Sequence, residues 1–330
     1  MCNSGNNETS KKPKVISKTD IKELALTKRL CFLIGSGASS PAIHLMSQFK
    51  SDDIEDANEK LLNEVKNVSK FLIDKNNKEK NDKEISDEEE CDNNINDVLE
   101  DYKRLIRTIS NILTDSNSRN SPNEAIIFTT NYDLFIEKAL DEILPETPLI
   151  FNDGAKGYFN RYLDGSNFNK TFSYRGLNDN YIDELPSISL IKPHGSVNWK
   201  NDNGKILVTN NVECNPVVVK PTGYEDQETF LNNHFHDMLR IFQLELDKPQ
   251  TVLFVIGFSF QDQHISQMIR RALNNRELLI ACLCYQDTDK EKIEENIGIQ
   301  SGTRNNLQII TPSDLSIENI RLSDLCDILS

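Results

Sequence analysis

The feature that most constrains the fold is a set of four short apolar segments, each of which runs into a glycine turn or a group of polar side chains. Their length and composition predict buried strands, and they occupy residues 29–34, 125–128, 188–191 and 251–256. Strand and helix patterns alternate through most of the second half of the chain, which favours an α/β fold built on a doubly wound, Rossmann-like parallel sheet. Ligands bind outside the carboxyl ends of the strands in such a sheet. The residues that follow these segments are therefore expected to form a site.

The second and third segments end in side chains that are suited to acid–base chemistry. Thr130, Asn131 and Asp133 follow the second segment, and His194 follows the third in the sequence Lys-Pro-His-Gly-Ser. An amide, a carboxylate and an imidazole at one edge of a sheet indicate a functional site rather than a core. A second role stays open for Asn131 and Asp133, because a helix is predicted to begin at Asn131 and both residue types cap helices.

Glycine turns follow the first and fourth segments. Glycine after a strand lets the backbone turn sharply and approach a phosphate or a ribose closely. The first turn has the Gly-x-Gly of a dinucleotide site without its third glycine, so a plain tight turn remains an alternative interpretation. The residues of the two turns are Gly35, Ser36, Gly37, Ala38 and Ser39, and Gly257, Phe258 and Ser259.

Taken in chain order, the four motifs resemble those of the sirtuins, the silent-information-regulator superfamily of NAD-consuming enzymes. The counterparts in that family are a Gly-Ala-Gly-x-Ser loop, a Gln-Asn-Ile-Asp segment, a catalytic His-Gly and a Gly-x-Ser ribose loop. The resemblance covers residues 25–285. The full set, with Gly-Phe-Ser-Phe-Gln-Asp-x-His after the fourth strand, resembles the sirtuin-like proteins of bacterial antiphage defence, which hydrolyse NAD.

The resemblance implies a role for each motif. His194 would be the catalytic base, Asn131 would orient the ribose and a water, Asp133 would accept hydrogen bonds from the nicotinamide amide, and Thr130 would contact the ribose. Cleavage of the nicotinamide–ribose bond passes through an oxocarbenium-like state, and imidazole, which titrates near neutrality, suits the removal of a hydroxyl or water proton. The other implied cofactor-binding residues are Gly35, Ser36, Gly37, Ala38 and Ser39, which would hold the diphosphate, and Gly257 and Ser259, which would contact the adenine-side ribose.

Two departures from the sirtuin pattern affect the expected substrate. Protein deacylase sirtuins carry a zinc module with two Cys-x-x-Cys pairs, whereas none of the seven cysteines in this chain has that spacing. A four-thiolate zinc site is therefore not expected, and no metal is assigned. The Gly-Ile-Pro-Asp-Phe-Arg segment that follows the first loop in the family is also missing. Both departures weaken the case for an acyl-peptide groove and leave the case for an NAD pocket intact.

Charge and hydropathy limit the possible binding partners and the expected cellular location. The net charge of −15 argues against direct binding of nucleic acid, because phosphate backbones require basic patches. Backbone amides and a helix N-terminus hold a diphosphate without lysines, so NAD is compatible with this charge. No apolar run predicts a transmembrane helix, and the N-terminus lacks the apolar core of a secretory signal. Scattered cysteines fit a reducing compartment, so the expected location is cytoplasmic.

The chain divides into a flexible N-terminal tail, residues 1–20, and one sirtuin-like NAD-binding domain, residues 21–330. Residues 41–120 are predicted to form a helical insertion over the first glycine turn. Within it, residues 74–97 are almost wholly polar. Such a run does not bury enough apolar surface to order itself, so it is interpreted as a surface linker between helices.

Further elements are predicted from local patterns. They include a helix at 43–49, helices at 54–73 and 95–113, a strand at 215–221 and a single last helix at 313–329.

Three functions are compatible with these observations. The first is an NAD glycohydrolase that yields nicotinamide and ADP-ribose as the toxic effector of a bacterial antiphage defence system. The second is an NAD-dependent protein deacylase, and the third is a non-catalytic module that binds NAD or an ADP-ribose-like signal. The presence of both Asn131 and His194 argues against the third. The resemblance further implies a homo-oligomer and, as a partner, a HerA-type ATPase.

Overall fold

The computed structural model describes residues 18–49, 54–74, 87–115, 122–175, 182–219, 229–300 and 302–330. Its strands are β1 (Arg29–Ile34), β2 (Glu124–Thr129), β3 (Ile150–Asn152), β4 (Ala155–Lys156), β5 (Arg161–Leu163), β6 (Ser173–Arg175), β7 (Ile182–Glu184), β8 (Ser187–Ile191), β9 (Trp199–Asp202), β10 (Lys205–Val208), β11 (Thr251–Ile256), β12 (Leu278–Leu283) and β13 (Leu307–Ile310). Its helices are α1 (Lys18–Thr27), α2 (Ile54–Asp74), α3 (Asp87–Asp115), α4 (Phe135–Ile143), α5 (Thr229–Asp247), α6 (Gln263–Ala272), α7 (Asp289–Ile297), α8 (Pro312–Leu315) and α9 (Leu322–Leu329). No described helix is long and apolar enough to cross a membrane.

The centre of the molecule is a seven-stranded sheet in the order β13-β12-β11-β1-β2-β8-β3. Every pairing within it is parallel. The chain builds the sheet outward from β1 in one direction and then returns to the other side of β1 with β11. The predicted doubly wound, Rossmann-like α/β fold is confirmed, and the point where the strand order reverses lies between β1 and β11.

Helices cover both faces of this sheet, and alternate residues of each strand point to opposite faces. Along β1, Leu30, Phe32 and Ile34 pack into a core that α1, α2, α3, α4 and α9 complete. Cys31 and Leu33 point the other way, into a core completed by α5, α6 and α7. Because β1 is buried on both faces, its sequence is continuously apolar rather than alternating.

Two small antiparallel sheets lie outside the central one. The first has the order β4-β5-β10-β9, and the second pairs β6 with β7. Their strands come from the segments on either side of β8, residues 155–184 and 199–208.

The helical insertion differs from its prediction at two places. Helix α3 begins at Asp87, so the end of the predicted polar linker 74–97 is helical, and Ile95 within it is buried. The predicted helix at 43–49 is wrong: Met46–Gln48 form a single 3₁₀ turn, which the Gln48 side chain closes by accepting the Leu45 N–H at 2.6 Å.

Two predictions near the C-terminal half are also wrong. The expected strand at 215–221 is reduced to an isolated bridge between Val218 and Gly195, and residues 220 and 221 lie outside the described residues. The expected single helix at 313–329 is two helices, because Ser316 adopts a left-handed conformation (φ 58°) that ends α8. The predicted tail overlaps α1, which begins at Lys18; residues 1–17 lie outside the described residues.

Candidate active site

The four predicted motifs meet at one edge of the sheet because their strands are neighbours. Strands β11, β1, β2 and β8 lie side by side. Ile34, the last residue of β1, is paired with Thr129 of β2 and with Ile256 of β11. The polar residues that follow these strands are therefore brought together at the carboxyl edge, on both sides of the point where the strand order reverses.

The two glycine turns pack directly against each other. A Cβ atom on Gly35 would collide with the carbonyl oxygen of Gly257, and one on Gly37 would lie 2.9 Å from the Gly257 Cα. Gly257 itself has φ 65°, and its own Cβ would collide with the Ala38 nitrogen. The Gly37 N–H donates to the Gly257 carbonyl at 2.9 Å, and the Gly35 N–H donates to that of Ile256 at 3.0 Å. Contact between the turns thus accounts for all three glycines without any ligand.

Ser39, at the end of the first turn, is a hydrogen-bonding centre. Its hydroxyl donates to Oδ2 of Asp133 at 2.9 Å and accepts a hydrogen bond from Nδ2 of Asn131 at 3.2 Å. The hydroxyl of Tyr102, on α3, lies 3.0 Å away. Since the Ser39 proton is directed to the carboxylate, Tyr102 acts as a donor to Ser39. The first turn, the second motif and the helical insertion are joined at this one atom.

The side chain of Asn131 is held in a single orientation. Its Nδ2 donates to the Gly35 carbonyl and to Ser39, each at 3.2 Å. Its backbone N–H donates to Oγ1 of Thr129 at 3.1 Å. Its Oδ1 is buried and has no hydrogen-bond partner among the described residues. Buried polar atoms of this kind are rare, and one such atom at the mouth of a sheet is well placed to accept a hydrogen bond from a ligand or a water.

The start of helix α4 differs from the prediction, and so do the roles of Asn131 and Asp133 there. The helix after the second motif begins at Phe135, four residues beyond Asn131, so the prediction that it begins at Asn131 is wrong. The side chain of Asp133 makes the cap-like contact, in which Oδ1 accepts the Phe135 N–H at 3.2 Å. Asp133 is buried, and this desolvation raises the pKa of its carboxyl above the usual range although Lys192 and Ser39 act in the opposite direction.

Lys192 links the second and third motifs. Its side chain is buried, and Nζ donates to the Asp133 carbonyl at 2.6 Å, to Oε1 of Glu137 at 2.9 Å and to Oγ of Ser196 at 3.0 Å. Each of the three N–H groups of this buried ammonium therefore has an acceptor. This role was not predicted, and the only signal in the sequence was the position of a lysine directly before the Pro-His-Gly-Ser turn.

His194 lies half-buried at the end of β8. Its ring is 5.6 Å from that of Phe235 on α5. The next residue, Gly195, has φ 85°, and a Cβ there would collide with the Val217 carbonyl, so the turn that presents His194 requires glycine. Nε2 of His194 lies 2.9 Å from Oδ2 of Asp262. The carboxylate oxygen is off the direction of the ring N–H, so the contact is an ion-pair approach rather than an aligned hydrogen bond.

Asp262 is the partner that sequence reasoning missed. It caps α6, where its Oδ1 accepts the N–H groups of His264 and Ile265 at 2.9 and 3.2 Å. Burial raises the pKa of this carboxyl, but His194 and the two backbone N–H groups outweigh burial and hold the pKa below its usual range. Asp262 belongs to the Gly-Phe-Ser-Phe-Gln-Asp-x-His segment, but an aspartate directly before a helix has an adequate local explanation as a cap.

The remaining predicted residues lie on the same loops. Thr130 is half-buried, and its N–H donates to the Ile34 carbonyl at 3.3 Å. Ser36 and Ser259 are exposed, and the carbonyl of Ser259 accepts a hydrogen bond from Asn296 at 2.8 Å. Between Ser259 and Asp262, Phe260 is buried with φ 60°, a strained conformation for an aromatic residue. Such strain is retained where the surrounding structure imposes it, often at functional sites.

No three His, Cys, Asp or Glu side chains within the described residues lie close enough together to bind a metal ion. The described cysteines are unpaired, and burial raises the pKa of the Cys31, Cys282, Cys284 and Cys326 thiols. These thiols therefore stay protonated at neutral pH and behave as small apolar side chains.

A family model described as a SIR2-like domain matches residues 125–301, which is more than half of the chain. The chain belongs to the SIR2-like family. No curated protein matches it. The SIR2-like match supports a function that involves NAD in general, and it includes Asn131, His194, Gly257 and Asp262. The first glycine turn and Tyr102 lie before the matched residues, although Ser39 contacts Asn131 directly.

Proposed function

We propose that this SIR2-like protein is an NAD glycohydrolase that cleaves NAD to nicotinamide and ADP-ribose. The observation that supports the proposal most is Oδ1 of Asn131, a buried acceptor without a hydrogen-bond partner among the described residues, at the same edge of the sheet as the imidazole of His194. The two residues follow β2 and β8, which are adjacent strands. An acceptor in a fixed orientation can position the ribose or a water, and an imidazole can take a proton, which are two functions that suit hydrolysis of an N-glycosidic bond.

In the proposed reaction, Oδ1 of Asn131 accepts a hydrogen bond from the ribose or from the attacking water. His194 removes a proton from the hydroxyl or the water as the bond to nicotinamide breaks. The bond electrons leave with nicotinamide, which becomes neutral, and the water oxygen completes ADP-ribose. Both groups are largely shielded from solvent, which strengthens their interactions with the developing charge on the ribose.

The other loop residues would bind the substrate. Asp133 would accept hydrogen bonds from the nicotinamide amide, and Thr130 would contact the ribose. The first turn, 35–39, would approach the diphosphate. Because the N–H groups of Gly35 and Gly37 already donate to carbonyls, we expect the exposed Ser36 to contribute more to this contact than those two amides. Gly257 and Ser259 would contact the adenine-side ribose.

The biological setting is proposed from the resemblance to sirtuin-like defence proteins. An unregulated NAD hydrolase would kill its own cell, so the protein would act as a toxic effector of antiphage defence that is silent until it is triggered. We propose a cytoplasmic homo-oligomer with a HerA-type ATPase as a candidate partner. We further propose one NAD-binding domain, residues 21–330, that carries its helical insertion at residues 41–120.

Incubation of the purified protein with NAD, followed by chromatographic separation of the products, tests the activity. The expected products are nicotinamide and ADP-ribose, formed without any acylated peptide. A parallel reaction with an acetyl-lysine peptide distinguishes the deacylase: strict dependence on the peptide, with O-acetyl-ADP-ribose as a product, would overturn the proposal. His44→Ala is a suitable control, because His44 is exposed and pairs with Glu64 rather than with the site.

A further inference from the structure

The contact between Asp262 and His194 joins residues that are far apart in the sequence. Asp262 follows the fourth strand motif and caps α6, whereas His194 lies in the turn after β8. Nε2 of His194 and Oδ2 of Asp262 lie 2.9 Å apart, and the two side chains are 14% and 16% exposed, respectively. A carboxylate and an imidazole this close, and mostly out of solvent, interact more strongly than an exposed pair.

We propose that Asp262 is a positioning residue that holds the His194 ring in place and strengthens it as a base. The inference rests on the proposed function. The carboxylate would restrict the rotation of the imidazole and stabilise its protonated form, which arises when His194 takes a proton from the hydroxyl or the water. No group other than the substrate, the water and His194 exchanges a proton in this step, because Asp262 stays ionised.

The backbone around Asp262 supports a fixed position for its carboxylate. Oδ1 is occupied by the N–H groups of His264 and Ile265, which leaves Oδ2 directed to His194. The strained Phe260 precedes it, and the Phe260 carbonyl accepts a hydrogen bond from Oγ of Ser266 at 2.6 Å. The first turn of α6 therefore fixes this loop at two points, the Asp262 side chain and the Phe260 carbonyl.

The charged and titratable groups around the pair come from several elements. Asp262 itself belongs to the loop before α6. His236 on α5 and His264 on α6 both contact Phe235, whose ring faces His194. Tyr132 lies near enough for the charge of Asp262 to raise the pKa of its hydroxyl further, in addition to the effect of burial. Of these groups, Asp262 is the one that places a carboxylate against the His194 ring.

The experiment compares Asp262→Asn with the parent. Asparagine caps helices as well as aspartate does, so α6 should be retained and the melting temperature should stay near that of the parent. Only the charge toward His194 is lost. We expect kcat/KM for NAD to fall by roughly tenfold, because part of the contribution of a general base is lost. The acid limb of the pH profile should move to lower pH. Asp324→Asn is the matched control, since Asp324 accepts a backbone N–H at the start of α9, away from the site.

A second measurement does not depend on hydrolysis. Diethyl pyrocarbonate modifies neutral imidazole, and mass spectrometry of the peptide that contains His194 gives its reactivity against pH. Loss of the carboxylate should move the midpoint of this curve to lower pH in Asp262→Asn, and also in Asp262→Ser, a second uncharged cap. Unchanged midpoints in both variants would overturn the inference, even if the parent hydrolyses NAD. A parent without hydrolysis but with the expected midpoint shift would overturn the proposed function and support the pairing.

Discussion

The amide of Asn131 donates a hydrogen bond to the hydroxyl of Ser39, a residue 92 positions earlier in the chain. Asn131 lies inside the part that matches the SIR2-like family, and Ser39 lies outside it. The orientation of the central amide of the candidate site is therefore determined by a loop that precedes the matched residues, and by Tyr102 behind that loop.

Removal of either reactive side chain should strongly lower NAD turnover while the protein stays folded. His194→Ala removes the proposed base and Asn131→Ala removes the proposed orienting amide, and loss of a general base typically lowers the rate by about 10²- to 10⁴-fold. Neither residue belongs to the apolar cores, so no large apolar cavity should form. NAD turnover and thermal melting are measured on the same samples. A folded variant with the parental rate would contradict the assignment.

Ser39→Ala should lower the free energy of unfolding by about 1–3 kcal/mol, because it removes the hydrogen bonds between the Ser39 hydroxyl and the buried side chains of Asp133 and Tyr102. When Tyr102→Phe is combined with Ser39→Ala, the loss should be smaller than the sum of the two single losses, because the hydroxyl that bonded to Ser39 is then also removed. Urea unfolding of the parent, both single variants and the double variant gives the coupling energy. Strictly additive effects would show that Ser39 and Tyr102 act independently.

Gly257→Ala should destabilise the protein by more than Gly204→Ala, although both glycines have positive φ. A methyl group on Gly257 collides with the Ala38 nitrogen, whereas at Gly204, with φ 79°, there is no atom within 4 Å of the added Cβ. For Gly204→Ala we expect the free energy of unfolding to fall by about 1 kcal/mol, from the strained backbone conformation alone. Gly257→Ala should cost at least twice as much, as measured by urea midpoints. Equal losses would indicate that the turns separate easily.

Asp133→Asn should stabilise the protein at alkaline pH while it weakens NAD binding. Burial raises the pKa of the Asp133 carboxyl in the folded state, so the folded state holds this proton more tightly than the unfolded state does. The ionised group destabilises the fold above the folded pKa, and this penalty decreases as the pH falls through that value. In urea unfolding, the stability difference between variant and parent should therefore be largest at pH 8 and should decrease as the pH is lowered towards about 4, the usual range for an aspartate. A difference that does not change with pH would contradict the assignment.

The sequence predicted the scaffold of the site better than its interactions. Strand β1 and its neighbours were predictable because runs such as Phe32-Leu33-Ile34 are apolar, and their polar ends locate Asn131 and His194. The partners of those residues were not predictable. The contact of Asp262 with His194, and that of Tyr102 with Ser39, each join segments more than sixty residues apart. No periodicity encodes such a contact, and each residue has an adequate local explanation as a helix cap or a core aromatic.

The position of β1 has a consequence for any shortened form of this protein. The matched segment begins at residue 125, but β1 is the strand that joins the two halves of the sheet. A chain that started at residue 125 would retain β13-β12-β11 and β2-β8-β3 as two separate three-stranded pieces. Each piece would have an apolar strand with unpaired backbone groups along one edge, which is a template for association with other chains. The family signature of this protein therefore lies within a segment that depends on an earlier strand for its solubility.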